Sequence, residues 1–333
     1  MLGISVYLQD FDADYVRSAS AYVDYVFTSL HIMEEEFDKP KFLELLALCR
    51  EIELKVICDI SPNTFAKLGL RADQLLELKA LGIETVRLDF GFEDQAYIEH
   101  LKQYFEVVFN ASVIDPYTPL LSNKVSHNFY PLLGSGLSRK DFLEKNRLFK
   151  EKELKIQAFI AGDELKRFPL YAGLVTLEDH RCENAYVAGL EMFREYAVDD
   201  VLVGDSKISL RYLSYLARYL RDGIITIECW LRPELAHLYN QILQLRRDNG
   251  RDFWRIESER KSVEISHNGR RPRGAILQFN RLAKRYSGEL YLARRDLAYD
   301  TATNQIGFVS PELVEVVDLL SGGDQICLLP IEL

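Results

Sequence analysis

The sequence predicts a (β/α)8 barrel followed by a small β-rich domain, and three observations predict it. Up to about residue 230, eight short apolar runs alternate with amphipathic stretches, which is the count of such a barrel. No GxGxxG follows the first run, and a doubly wound sheet would need only five or six strands. After about residue 250 the texture changes to short alternating segments broken by Gly, Asn and Asp, the pattern of a small β domain.

At 333 residues the chain is too long for one ordinary domain and suits one large and one small. The expected division is 1–248 for the barrel and 249–333 for the β domain. The strand candidates are "GISVYLQ" (3–9), "YVFTSLH" (25–31), "KVICDIS" (55–61), "TVRLDFG" (85–91), "VVFNAS" (107–112), "HNFYPL" (127–132), "IQAFIAG" (156–162) and "VLVGDS" (201–206). Between them lie helical patterns. In "PKFLELLALCREIE" (40–53), Leu43, Leu46, Ala47 and Arg50 follow the 3.6-residue period. "RADQLLELKALG" (71–82) and "SRKDFLEKNRLFKEKE" (138–153) behave likewise.

The bulk numbers exclude several classes. A composition 48% hydrophobic and 28% charged is that of a soluble globular protein. A net charge of −10 argues against nucleic acid or an anionic membrane as partner, since both want a basic footprint. "MLGISVYLQDFD" has neither a basic n-region nor a small-residue cleavage site, and no apolar run reaches 18 residues. Five scattered cysteines, never spaced as CxxC, read as thiols of a reducing compartment, so a cytoplasmic location is expected. No HxH or HExxH occurs and the six histidines are dispersed; neither a metal nor a cofactor is expected.

In such barrels the active site lies at the C-terminal ends of the strands. Here those ends carry Asp10, then Ser29 and His31, Asp59 and Ser61, Arg87 and Asp89, Asn110 and Ser112, Asn128 and Tyr130, and finally Asp205 and Ser206. The loop after the seventh run, "AGDELKRFPLYAGLVTLEDHR", adds Lys166, Arg167 and Glu178. A ring of carboxylates, amides and hydroxyls suits a sugar, whose hydroxyls want donors and acceptors together. Glycoside hydrolysis needs two carboxylates. Asp89 and Glu178 are the preferred pair, with Asp205 and Asp59 in reserve. Asp10, His31, Arg87, Asn110, Asn128, Tyr130, Ser206 and Arg167 are the candidate substrate-binding residues. Lys166, Arg167 and Ser206 sit on loops seven and eight, where phosphates often rest.

Each of these has a structural rival. Thr176 and Asp179 are placed to form a capping box around Glu178, Asp205 to cap the next helix, and Arg87 with Asp89 to form an ion pair inside the barrel. Two other functions compete with glycosidase: a sugar-phosphate isomerase, epimerase or aldolase, and a non-catalytic sugar-binding module.

The segments "GISVYL", "FTSLHI", "VRLDFGF", "HNFYP", "GLS", "TLEDHR" and "VGDS", followed by "YSGELYLARRDL" and "NQIGFV", resemble the bacterial 6-phospho-N-acetylmuramidase family along essentially the whole chain. The resemblance implies a TIM barrel joined to a cyclophilin-like β-barrel. It implies a cytoplasmic glycosidase of cell-wall recycling that splits N-acetylmuramic acid 6-phosphate–N-acetylglucosamine. The expected partner is therefore a phosphorylated amino-sugar disaccharide, with a homo-oligomer left open. It would also put His127, Asn128 and Tyr130 on the sixth strand, facing sugar. Phe168 and Val175 stand where members often have Gly and Pro, so the shape of loop seven is this chain's own.

Overall fold

The computed structural model describes residues 1–30, 37–88, 94–112, 114, 122–248 and 250–331. The chain divides into two compact units, Met1–Ala217 and Arg218–Leu333.

The first unit is a closed barrel of eight parallel strands: β1 (Leu2–Ser5), β2 (Tyr25–Ser29), β3 (Lys55–Ile60), β4 (Thr85–Leu88), β5 (Glu106–Asn110), β6 (Lys124–Ser126), β7 (Lys155–Ile160) and β8 (Asp200–Val203). Leu2 opposite Val201 and Ile4 opposite Val203 close the ring. Runs such as "YVFTS" and "KVICDI" read as β because branched and aromatic side chains suit a strand covered on both faces. The helices between them start at polar caps. Asp38 accepts from the Lys41 amide, Ser138 from Asp141, and Asn184 from Tyr186 and Val187. Inside the ring Phe27 meets Phe159 edge-on at 5.2 Å, and Phe129 rests on both, at 5.8 and 4.9 Å. This aromatic plug belongs to a cluster with Tyr25, Ile57 and Leu202.

At the opposite end, the buried Lys124 of β6 pairs with Asp200 at 3.2 Å and with Glu106 at 3.3 Å. Burial opposes the charge of Lys124, yet the two carboxylates outweigh it and raise its pKa above the ordinary lysine value. An amine held as ammonium is no Schiff-base nucleophile, so the aldolase reading gains nothing from this strand lysine.

The second unit is a mixed sheet built from β9 (Ile224–Leu231), β10 (Ile242–Gln244), β11 (Phe253–Ile256), β12 (Ala275–Phe279), β13 (Leu290–Ala293), β14 (Thr303–Val309) and β15 (Gln325–Pro330), in the order β10-β15-β9-β14-β12-β13-β11. Its outer strands meet through the Leu245–Ile256 bridge and the bonds Arg246 N to Arg255 O and Glu257 N to Gln244 O, both 2.8 Å. The junction expected near residue 250 lies instead at Ala217/Arg218. The cause is that β9 and β10 pair with β15, in the second sheet.

Three expectations change in detail. The sixth strand is Lys124–Ser126, ahead of "HNFYPL". His127 is consequently buried and does not line the mouth: its ring packs on Phe142 at 4.7 Å, and Nε2–H donates to Asn146 Oδ1 at 2.7 Å. The Asn146 amide is oriented by its bond to Tyr196 O. Thr176 caps no helix; it accepts from the Phe159 amide and donates to Asn128 O, while a 3₁₀ turn, Glu178–Arg181, starts after Leu177 without a side-chain cap and the next α-helix begins at Ala185.

Burial lowers the pKa of His127 to about 4, against 6.5 for an ordinary histidine. The unfolded chain therefore takes up a proton below pH 6.5 that the folded chain refuses until about pH 4. This contribution to stability is complete above pH 6.5 and is lost toward pH 4, a change of about 3 kcal/mol. Denaturant titrations at pH 7 and pH 4 should show a loss larger by about that amount in the native chain than in His127→Gln. Equal losses in the two proteins would show that the imidazole is not held neutral.

Candidate active site

Strand register assembles the first half of the barrel mouth. Ser29 lies opposite Asp59, and Asp59 opposite Arg87, so three neighbouring strands present a hydroxyl, a carboxylate and a guanidinium at one level. Arg87 Nη1 donates to Asp59 Oδ1 at 3.0 Å and Nη2 to Asn128 Oδ1 at 3.1 Å, while Ser29 Oγ reaches Asp59 Oδ2 at 3.4 Å. The Arg87 and Asp59 side chains are only 1% and 4% exposed, which makes this a buried ion pair. The guanidinium also stands 5.9 Å from the ring centre of Phe129, so the aromatic plug is the floor beneath it. Among the described residues Arg87 forms its ion pair with Asp59; the pair expected with Asp89 falls on a residue outside those described.

The chain of polar groups continues on β5 and the segment after β6. Ser112 Oγ and Tyr130 Oη lie 3.1 Å apart, the Asn128 amide donates to Ser112 Oγ, and Asn110 Oδ1 accepts from the Ser112 amide. Ser29, Asp59, Arg87, Asn128, Ser112 and Tyr130 are therefore held in one network. Asp89 and His31, both assigned to the site from sequence, lie outside the described residues.

The second half gathers around loops seven and eight. Asp205 is a structural hub: Oδ2 accepts from the amides of Gly162 and Leu174, Oδ1 from that of Arg167, and Lys166 Nζ stands 3.6 Å away. It ties both ends of loop seven to β8 and caps no helix. Ser206 donates to Asp10 Oδ2 at 2.6 Å, and Asp10 sits on a 3₁₀ turn, Leu8–Asp10, not on β1. Arg167 lays its guanidinium 4.6 Å from the centre of the Tyr7 ring, whose hydroxyl donates to Gly204 O.

Glu178 joins loop six to loop seven. Its oxygens accept from the Gly134 and Gly136 amides at 2.8 and 2.7 Å and from Arg181 Nε and Nη2 at 2.7 and 2.6 Å. Those four donors match the roughly four acceptor sites of a carboxylate. The Arg181 pair first, then the two amides, hold the Glu178 carboxyl at a pKa of about 2. Gly136 comes so close that a Cβ there would lie 2.6 Å from Glu178 Oε2, which explains the glycine. The rest of the Arg181 guanidinium bonds the carbonyls of Tyr130, Leu132 and Gly173.

Sequence reasoning missed Arg181 and Tyr7. The i,i+3 spacing of Glu178 and Arg181 was a usable signal for the first; Tyr7, beyond the end of β1, left none. Among the described residues no group of three or more His, Cys, Asp or Glu side chains is placed to hold a metal ion, and no helix is long and apolar enough to cross a membrane.

Residues 2–218 match the family described as "6-phospho-N-acetylmuramidase, N-terminal", and residues 225–328 match its C-terminal counterpart. A conserved protein of unknown function from Enterococcus faecalis is similar in structure, with a TM-score of 0.86 and 28% identity over 99% of this chain and 96% of that one. An uncharacterized protein of B. cereus shares the fold, with a TM-score of 0.75 and 21% identity over 99% of both chains. No curated protein matches the chain.

Proposed function

Because the chain belongs to the 6-phospho-N-acetylmuramidase family, we propose that it is a glycoside hydrolase that splits N-acetylmuramic acid 6-phosphate–N-acetylglucosamine inside the cell, in the recycling of cell-wall fragments. The observation that carries this reading is the pair of family matches, which together run from residue 2 to residue 328. The barrel mouth supplies supporting chemistry.

Two carboxylates have to be found for the reaction. Glu178 is a poor general acid, because a carboxyl with a pKa of about 2 carries almost no proton near neutrality. Asp205 is committed to three loop amides. We therefore assign the chemistry to Asp59 and Asp89. Asp59 stands at the sugar-facing end of β3 with its charge balanced by Arg87, and acts as the ionised member, nucleophile or base. Asp89, placed by sequence two residues after Arg87, is the proton donor. Asn128 and Tyr130, oriented by Arg87 and Ser112, bind hydroxyl or acetamido groups. Arg167, Lys166 and Ser206 receive the phosphate.

Incubating the purified protein with the 6-phosphorylated disaccharide should release N-acetylglucosamine, read by mass spectrometry. A product of unchanged mass would replace this reading with the isomerase or epimerase one.

A further inference from the structure

The loops that Arg181 and Glu178 clamp together carry an apolar surface that the chemistry above does not use. Leu132 and Leu133 on loop six are 63% and 67% exposed, and Leu170 and Tyr171 on loop seven 51% and 55%. Arg181 bonds Leu132 O at 3.1 Å and Gly173 O at 2.6 Å through one guanidinium, so the two loops lie side by side at the barrel mouth. Nothing in their composition offsets this: "PLLGSG" (131–136) and "FPLYAG" (168–173) contain no charged residue, in a chain that is 28% charged.

Tyr171 adds a second, independent observation. Its backbone has φ = 51°, the left-handed region that glycine or asparagine enters readily and a bulky side chain enters at a cost. A position that strains its backbone while leaving the ring in water gains nothing for the fold, and such outliers gather at ligand clamps. The ring is held ready, with its edge against Phe168 at 6.2 Å between centres.

Resting on the activity proposed above, we infer that Tyr171, flanked by Leu132, Leu133 and Leu170, is the platform on which the uncharged amino sugar of the disaccharide stacks. The C–H face of a pyranose ring and the acetamido methyl are apolar and neutral, as this surface is. The phosphorylated sugar is directed to the cationic side of the mouth, at Lys166 and Arg167. Tyr171 is then a specificity-determining residue that selects the leaving sugar.

The test is steady-state kinetics on the 6-phosphorylated disaccharide, with inhibition by free N-acetylglucosamine, in the intact chain and in Tyr171→Gly and Tyr171→Phe. The expected result for Tyr171→Gly is a KM and an inhibition constant each raised at least about tenfold, with Tm equal to or above that of the native chain because the strain is relieved. Tyr171→Phe should behave as the native chain does. A folded Tyr171→Gly with native KM and inhibition overturns the inference while leaving the glycosidase standing. So does a native chain that self-associates in sedimentation and is dispersed by Tyr171→Gly, since a second copy would then be the occupant. If the native chain cleaves no such disaccharide, the proposed activity fails, and this inference with it.

Discussion

Asp59→Asn should lower kcat on the 6-phosphorylated disaccharide by about 10²–10⁴-fold, the range for removing a group that moves a proton or attacks in the transition state. The substitution keeps an oxygen in place to accept from Arg87 but removes the negative charge. Because the Arg87 side chain is only 1% exposed, its charge is then buried beside a neutral acceptor. Breaking a buried pair outright costs about 3–5 kcal/mol; retention of a hydrogen bond should keep the cost of Asp59→Asn below that. The kinetic and structural consequences are separable by measuring kcat at a temperature where circular dichroism shows the variant folded. Near-native kcat in that folded variant would reduce Asp59 to a counter-ion for Arg87 and move the chemistry elsewhere.

Glu178→Ala should be the most destabilising single change in loops six and seven, at about 3–5 kcal/mol. The Arg181 side chain is 3% exposed and would keep its carbonyl partners while losing its only ion-pair partner among the described residues. The amides of Gly134 and Gly136 lose their acceptor as well. In a protein of this size that loss corresponds to a Tm lower by roughly 6–20 °C. Glu178→Gln, which keeps an acceptor, should lose less stability and retain measurable turnover. A general acid would behave in the opposite way, with turnover abolished and stability intact, so the two variants together decide between latch and acid. The pH behaviour agrees in sign with a latch: a carboxyl lowered from 4.5 to about 2 contributes stability above pH 4.5 and loses it only as pH falls through about 2.

Much of the barrel was legible because buried parallel strands have a simple signature. "YVFT", "KVICDI" and "IQAFI" are largely apolar runs with branched or aromatic side chains, and each lies in a strand. The sixth strand was harder. "KVS" reads as polar, whereas "HNFY" reads as strand, and the difference lies in tertiary packing: His127 fills a gap beside Phe142 that no local pattern announces. The same limit explains the domain junction. "IITIECWL" has the texture of a barrel strand, and only its pairing with β15 on one side and β14 on the other puts it in the second sheet.

The site divides in a similar way. That Asp59 and Arg87 converge follows from register, which strand ends alone suggest; Asn128, past the end of β6, joins them through its bond to Arg87. Whether an acidic residue does chemistry or organises loops does not follow, because the partners of Glu178 and Asp205 are mostly backbone amides, and any sequence supplies those. Their saturation appears only once the loops are folded around them.

The measurement that bears most directly on the central claim is a competition in one tube between the 6-phosphorylated muramyl disaccharide and its unphosphorylated twin, followed by mass spectrometry. A phosphate-gated glycosidase at this barrel mouth predicts that the phosphorylated form is hydrolysed and the twin persists. Binding of the phosphorylated disaccharide with neither form cleaved would contradict it, and would make the chain a sugar-phosphate binding protein on a barrel scaffold.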